Sequence, residues 1–446
     1  MSHDKLAEFV RSAAEEFGIP GAAVGVWVGG EEIYACHGVT SIENPLPVDQ
    51  DTLFQLASIT KTYTATALMR LVEAGKVEPA APVRRYVPEF PLEDERVTVA
   101  RLLNHTAGLD WAVIVDTGEG DDALAAYVAK MGGLIAPPGS RASYSQAGYN
   151  LVGRIIENVT GLPYEKAVAE LVLGPAGLEN SFFTAQDVIT RRFAVGHDLG
   201  DHGTLSVARP WKGTRANNPG GGLVSSVADQ LRWARYHLGD DPTLRGMREP
   251  TVALRASTLG DAIGTAWFLR DVDGVGTVGH GGSANGLFAE LLLVPERDFA
   301  VVVVSNAGPN GIPFDQAVVR WALEHYLGVI DRDPEPIPYD AARVGEIVGA
   351  YDIDAMTLTI TDEGQELTLE VLIKPEIRAA AETELPRDHA PFPFGLLPGD
   401  TDEYVITDGA FKGQRGFFTR DATGTITGVD LAGRLFNRLD GSLRAG

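Results

Sequence analysis

The sequence predicts a mixed α/β (α+β) protein in which a sheet flanked by helices precedes a smaller all-β unit. Apolar residues recur at helical spacing over residues 4–17 and 58–74, and buried-strand runs follow residue 260. Beyond residue 340 the apolar residues instead alternate with period two. A Pro- and Asp-rich joint at 328–339 separates the two patterns. We therefore expect domains at residues 1–330 and 340–446.

The first domain opens with a helix that Gly18 and Pro20 end. Residues 21–28 and 31–38 then read as strands joined at Gly29-Gly30, which indicates a hairpin. Prolines interrupt the next part, about residues 80–170, which reads as a set of helical pieces. The remaining predicted elements are strands at 265–269, 286–294 and 299–305 and a helix at 314–327.

The second domain has strand patterns only. Residues 357–361 and 366–370 alternate on either side of a polar turn and predict a hairpin. Further strands are predicted at 404–407, 416–420, 425–430 and 434–439. Short strands at this spacing are typical of a barrel or a sandwich.

The charge balance disfavours nucleic acid and anionic membranes as partners. Lys and Arg number 37 against 61 Asp and Glu, a net charge of −24. The single cysteine, Cys36, excludes an intrachain disulfide, and the first ten residues lack the apolar run of a signal peptide. Every apolar stretch is far shorter than the ~20 residues of a membrane span. We expect a cytoplasmic protein, and its oligomeric state stays open.

The first candidate for chemistry is Ser58-Ile-Thr-Lys61, which opens the helix predicted at 58–74. Three residues apart on a helix, the two side chains share one face, so the Lys61 amine can take the Ser58 hydroxyl proton. A lysine acts as a base only where burial or a second cation lowers its pKa from about 10.4. Alone, the pattern also fits an N-cap serine beside an exposed lysine.

Two more motifs hold groups suited to acyl chemistry. Tyr144-Ser-Gln146 offers a phenol that can share a proton with a lysine and an amide that can bind a substrate carbonyl, although it also fits an ordinary loop. In Gly279-His-Gly-Gly-Ser283, small residues would admit a substrate to a strand edge, although the segment also fits a glycine-rich hairpin. The backbone N–H groups of Ser58 and Ser283 are candidates for an oxyanion hole.

In this order and at these separations the motifs resemble the serine β-lactamase and DD-peptidase superfamily, in its class C β-lactamase-like branch. That branch includes family VIII esterases, D-aminopeptidases and low-molecular-weight penicillin-binding proteins. The resemblance spans about residues 5–327 and implies a β-lactamase-like fold, with an antiparallel sheet flanked by helices and a helical insertion at about 80–170. Some hydrolases of this family carry a C-terminal β-barrel, and 340–446 resembles such a lipocalin-like barrel. The flanking matches are Leu102-Leu-Asn-His-Thr-Ala-Gly-Leu109, Gly220-Gly-Gly-Leu223 and Val303-Val-Ser-Asn306.

The resemblance implies a role for each motif residue. Ser58 would be the nucleophile, and Lys61 and Tyr144 would share the general-base and general-acid roles. The N–H groups of Ser58 and Ser283 would form the oxyanion hole. The residues implied to contact substrate are Gln146, His280, Gly281 and Gly282.

Two positions depart from the family pattern. Gln146 stands where Asn is usual, so the amide is kept with an added methylene. His280-Gly-Gly282 replaces the Lys-Thr-Gly of true β-lactamases, so the groups that hold a β-lactam carboxylate are absent. We therefore expect little penicillin hydrolysis, since a His at this place resembles D-aminopeptidases and esterases.

The expected function is that of a serine acyl-hydrolase that forms an acyl-enzyme on Ser58 and cleaves esters or amides of small acyl or peptide substrates. A related alternative is a D-stereoselective peptidase or a penicillin-binding-protein-type peptide cyclase, in which an amine replaces water. An alternative of another class is a non-catalytic peptide- or β-lactam-binding protein. We expect no cofactor and no metal, since His197-Asp-Leu-Gly-Asp-His202 lacks a supporting ligand motif. The site is expected between the sheet and the helical insertion.

Overall fold

The computed structural model describes residues 2–113, 115–200, 204–380, 390–399, 402–409 and 411–439. Before residue 330 the strands are β1 (Gly21–Val28), β2 (Glu31–Gly38), β3 (Leu53–Gln55), β4 (Ser181–Phe182), β5 (His197–Leu199), β6 (Leu205–Val207), β7 (Val224–Ser226), β8 (Val252–Ser257), β9 (Gly260–Ile263), β10 (Phe268–Val272), β11 (Val275–Ala284), β12 (Leu287–Val294) and β13 (Phe299–Ser305). The helices of this part are α1 (Ser2–Phe17), α2 (Thr60–Glu73), α3 (Val99–Leu103), α4 (Ala123–Val128), α5 (Gln146–Thr160), α6 (Tyr164–Val168), α7 (Ala185–Val188), α8 (Asn218–Gly221), α9 (Val227–Leu238), α10 (Pro242–Met247) and α11 (Gly311–Ala322).

The main sheet has eight strands in the order β2-β1-β13-β12-β11-β10-β9-β8, and its neighbouring strands run antiparallel. Successive side chains of a strand point to opposite faces, and on β13 both faces are covered. Val301 and Val303 pack with α1 and α11, whereas Val302 and Val304 pack with the core of α2 and α9. The predicted antiparallel sheet flanked by helices is confirmed.

The predicted helical insertion contains α3, α4, α5 and α6. Within the larger apolar core, α5 and α6 pack on α2, and α3 and α4 pack on α5. The short strands β3, β7 and β4 form a separate sheet in that order. β3 leads into α2 through a single 3₁₀ turn at Ala57–Ile59. This connection fixes where the Ser58 side chain emerges.

The second part begins with α12 (Ala341–Ile347) and forms a closed antiparallel barrel, which confirms the predicted all-β barrel. Its interior is filled by apolar side chains that include Tyr351, Leu358, Tyr404 and Phe418. Residues 440–446, the end of the predicted second domain, lie outside the described residues. The other elements are β14 (Gly349–Asp352), β15 (Met356–Asp362), β16 (Leu367–Ile373), α13 (Pro375–Ala380), β17 (Phe392–Leu396), β18 (Glu403–Ile406), β19 (Arg415–Arg420), β20 (Ile426–Leu431) and β21 (Arg434–Arg438).

Local geometry explains where the predicted bounds differ. The strand predicted at 265–269 begins only at Phe268, because Ala266 has a φ of +66°, which extended backbone does not allow. The sheet also starts earlier than predicted, since β8 precedes residue 260. Within the described residues, no helix is both long and apolar enough to cross a membrane.

Candidate active site

Ser58 lies in the 3₁₀ turn between β3 and α2, where it is half-buried. The preceding residue, Ala57, has a φ of +45°, a conformation that costs free energy for a residue with a Cβ. The Thr60 hydroxyl holds this turn: it donates to the Ala57 carbonyl at 2.6 Å and accepts from the Leu223 N–H at 3.0 Å. The fold thus maintains a locally strained backbone beside the Ser58 hydroxyl.

The Lys61 amine lies one helical turn from Ser58 and is fully buried. Its Nζ is 3.1 Å from the Ser58 Oγ, 2.6 Å from the Gln146 Oε1 and 2.6 Å from the Gly220 carbonyl oxygen. A neutral amine has two N–H bonds and one lone pair. If the two N–H bonds go to the two carbonyl oxygens, the lone pair is left for the Ser58 hydroxyl proton.

The surroundings of Lys61 favour this neutral form. Burial lowers the pKa of the Lys61 amine well below its ordinary value, and the nearby Arg434 guanidinium lowers the pKa further. A depressed pKa is the condition under which a lysine serves as a base near neutral pH.

Tyr144 precedes α5 and lines the same cleft as Ser58, with the Lys61 Nζ 4.8 Å from the centroid of its ring. Its hydroxyl is buried and makes no hydrogen bond of ordinary geometry with the described residues. Burial raises the pKa of the Tyr144 phenol, while the Ser58 side chain and Arg434 oppose the rise. The phenol therefore stays protonated and is available to donate a hydrogen bond.

Two buried histidines complete the aromatic wall beside Tyr144. His105 accepts a hydrogen bond from the Ser145 N–H at its Nδ1, 3.1 Å away, so it contributes to the placement of the Tyr144 loop. His280 on β11 has its Nδ1 2.7 Å from the Gly281 carbonyl oxygen, which requires the proton on Nδ1. Burial and the charge of Lys61 lower the pKa of His280 to about 3, so this ring is neutral at physiological pH.

The end of β11 presents backbone to the Ser58 turn. The pairing of β10 with β11 stops at Gly279, so within the described ladder residues 280–284 have a strand partner only on the β12 side. A Cβ on Gly282 would overlap the Leu56 carbonyl oxygen and lie 3.2 Å from the Ser58 amide nitrogen. Only a glycine allows so close an approach, and Ser283 follows at the exposed end of the strand.

The structure brings most of the predicted site residues to one cleft of about 330 Å³. Gln146 is different: its amide oxygen accepts from Lys61, and its amide is not part of the cleft wall. A role in holding the base therefore describes its geometry better than direct contact with substrate. The predicted residues that line the cleft are Ser58, Tyr144, His280, Gly281, Gly282 and Ser283.

Sequence reasoning missed three contributions to this site. Gly220 belongs to a motif that matched the family pattern without a role, yet its carbonyl oxygen contacts Lys61. Arg434 and Gln414 come from the barrel and line the cleft. The Ala432-Gly433 turn signals a hairpin, but nothing in the sequence indicates that this hairpin meets Tyr144.

The segment weighed as a metal site is only partly described by the structure. The His197 ring lies between the Ile42 N–H and the Asn306 carbonyl oxygen, 3.1 and 2.7 Å away, and His202 lies outside the described residues. Across the part of the chain that the structure describes, no three His, Cys, Asp or Glu side chains gather to hold a metal ion.

Comparisons with known proteins agree with this arrangement. The sequence profile of the Beta-lactamase family matches residues 6–323. Penicillin-binding protein 4 of Amycolatopsis lactamdurans is 34% identical over 365 residues, which cover 76% of this chain and 94% of that protein. The crystal structure of SurE with D-Leu has a TM-score of 0.75 at 24% identity and covers 98% of this chain and 99% of its own. The octameric penicillin-binding protein homologue from Pyrococcus abyssi gives 0.67 at 23% identity, with coverage of 98% and 99%. The likeness of fold thus includes the barrel, and the chain belongs to the β-lactamase family of serine hydrolases.

Proposed function

We propose that the protein is a serine acyl-hydrolase that acylates Ser58 and cleaves esters or amides of small acyl or peptide substrates. The observation that supports this most is the Lys61 amine, buried, with a lowered pKa and 3.1 Å from the Ser58 Oγ. A lysine with a purely structural role is ordinarily held by a carboxylate, whereas the partners of the Lys61 Nζ within the described residues are two carbonyl oxygens and the Ser58 hydroxyl.

The proposed reaction begins when the Ser58 Oγ attacks the substrate carbonyl carbon and its proton passes to the Lys61 amine. The N–H groups of Ser58 and Ser283 stabilise the oxyanion that forms on the carbonyl oxygen. The proton then reaches the leaving group through the Tyr144 phenol, and the bond to the leaving group breaks. Water attacks the acyl-enzyme, the same groups take its proton, and Ser58 is released.

The experiment compares wild type with Ser58→Ala on a short p-nitrophenyl ester. Hydrolysis should vanish in Ser58→Ala, and intact-mass spectrometry should show the acyl group on wild type alone. Ser12→Ala, an exposed serine on α1, is the matched control and should retain full activity. Turnover that survives Ser58→Ala would contradict the proposal. Ligand binding without acylation or product would instead support the non-catalytic binding protein.

A second candidate, a D-stereoselective peptidase or peptide cyclase, is favoured by one cation. Arg434 lines the cleft and, within the described residues, makes no ion pair, so it is available to a carboxylate of a substrate. SurE, the structural relative with a TM-score of 0.75, was determined with D-Leu. Matched peptides with D- or L-residues at the scissile bond would distinguish the candidates. Release of a D-residue or ring closure, in place of simple ester cleavage, would support the second.

A further inference from the structure

The hairpin formed by β20 and β21 connects the barrel directly to the loop that carries Tyr144. Gly433, in its two-residue turn, accepts a hydrogen bond from the Tyr144 N–H at 2.7 Å. The Leu435 N–H donates to the Ser143 Oγ at 3.3 Å, and Arg141 donates to the Asn437 side chain at 2.8 Å. Three hydrogen bonds therefore join the barrel to the segment that carries Tyr144.

Arg434 follows the turn and places its guanidinium against that same segment. Its Cζ is 5.5 Å from the centroid of the Tyr144 ring and 5.1 Å from that of the Trp111 ring, which are cation–π distances. The Lys61 Nζ is 4.8 Å from the Tyr144 centroid. One aromatic ring thus has two basic groups as neighbours, one from the hydrolase core and one from the barrel.

The Arg434 guanidinium has no direct ion-pair partner within the described residues. The Nε is buried without a hydrogen-bond partner, and the side chain has no ion pair within the described residues. The side chain as a whole is half-buried, but the Nε has lost its hydration without gaining a partner, which is unfavourable for stability. Its position beside Lys61 and Tyr144 therefore calls for a role that an apolar side chain could not fill.

We propose that Arg434 is an electrostatic positioning residue for the Lys61–Tyr144 pair, supplied to the active site by the barrel. The proposal rests on the acyl-hydrolase function proposed above. The guanidinium holds the Tyr144 ring by a cation–π contact. Its fixed positive charge disfavours a second positive charge on Lys61, so it favours the neutral amine that accepts the Ser58 proton.

Several other ionisable groups surround the Lys61–Tyr144 pair. The centroid of the Tyr149 ring, on α5, lies 5.8 Å from the Lys61 Nζ, and His105 and His280 are buried with lowered pKa values. Asp430 on β20 faces Arg434 from the same hairpin, and burial raises the pKa of its carboxyl to about 7. The Arg434 charge lowers the pKa of both Lys61 and Tyr144, which agrees with the proposed role.

The test measures kcat/KM against pH for an uncharged p-nitrophenyl ester, because this quantity reports the pKa values of the free enzyme. In Arg434→Gln the acidic limb of the kcat/KM profile should move to higher pH by about one unit, so that kcat/KM falls about tenfold at pH values below the limb. Arg434→Lys keeps the positive charge, so its acidic limb should lie close to that of wild type. Lys412→Gln removes one exposed positive charge from the barrel and should leave the profile unchanged. If thermal unfolding shows that Arg434→Gln is unfolded, Arg434→Met replaces it.

Three results would overturn the proposal. The first is an unshifted acidic limb in a folded variant that lacks the Arg434 charge. The second is a loss of activity only with substrates that carry a carboxylate, which would make Arg434 a substrate-binding residue. The third is the disappearance of the acidic limb in Asp430→Asn, which would assign that limb to the Asp430 carboxyl. Ser58→Ala separates this proposal from the one on which it rests. If Ser58→Ala remains active, the acyl-hydrolase function fails; if it is inactive and the Arg434 profile is unshifted, only the role of Arg434 fails.

Discussion

The substitution Gly282→Ala should lower the catalytic rate about 100-fold in a protein that remains folded. A Cβ at this position would lie 2.1 Å from the Leu56 carbonyl oxygen, whereas ordinary carbon–oxygen contacts exceed about 3.3 Å. The end of β11 and the Ser58 turn must therefore separate by about 1 Å, and both proposed oxyanion donors lie on these two segments. A misplacement of about 1 Å reduces rates about 100-fold, which is about 2.7 kcal/mol of transition-state stabilisation.

The assay is kcat/KM for a p-nitrophenyl ester, with thermal unfolding measured alongside. We expect overpacking to lower the free energy of unfolding by about 1–3 kcal/mol. Gly276→Ala is the matched control on the same strand, because a Cβ there meets nothing within 4 Å. If Gly282→Ala keeps a rate within a factor of about three of wild type, the close approach of β11 to Ser58 is not needed for catalysis. If Gly276→Ala loses as much activity, the effect belongs to the strand and not to the contact.

Three further changes separate chemistry from stability. Lys61→Met should lower kcat about 10³-fold, since it removes the proposed base but keeps an apolar stem; single-turnover acylation measures this, and a loss below tenfold would argue against the base role. Tyr144→Phe should lower kcat/KM about 100-fold while the melting temperature stays the same or rises, because the buried hydroxyl makes no hydrogen bond of ordinary geometry with the described residues. Burial raises the pKa of Glu290 to about 7, so the folded state binds its proton more tightly than the unfolded chain does. The resulting stability is present below about pH 4 and is lost as the pH rises through 7, so Glu290→Gln should be up to about 3 kcal/mol more stable than wild type at pH 8 and no more stable at pH 4. Denaturant unfolding at both pH values checks this, and equal stabilities at pH 8 would contradict it.

Residues close together in sequence made the first half of the site predictable. Ser58 and Lys61 are one helical turn apart, so their spacing alone indicates a shared face. The alternation beyond residue 340 likewise predicts strands, because period two reflects burial on one face only. At Ala266 the backbone conformation excludes extended structure, so the hydrophobic pattern predicts the start of this strand too early.

The contribution of the barrel could not be predicted in the same way. Gly433 and Tyr144 are joined by a backbone hydrogen bond, and backbone groups leave no mark on side-chain pattern. Arg434 reads as an ordinary strand residue after a turn, since arginine is common on exposed strand faces. Its half-buried position near a lysine is visible only once the two parts of the chain are placed together.

The interior of the barrel and its contacts with the core indicate what the barrel contributes to this protein. The barrel interior is filled by aromatic and aliphatic side chains, among them Tyr351 and Phe418, so its structure is that of a support and not of a carrier for a bound molecule. The barrel meets the core at several places: β19 lies beside β8, the Thr258 N–H donates to the Arg415 carbonyl oxygen, and the turn of the β20–β21 hairpin contacts Tyr144. That turn is short and lies between two paired strands, and rigid elements place functional groups more accurately than loops do. The turn fixes the backbone of Tyr144 and delivers Arg434 within cation–π distance of its ring. A loss of the barrel contacts would therefore act on the Lys61–Tyr144 pair through this turn and on the main sheet through β8.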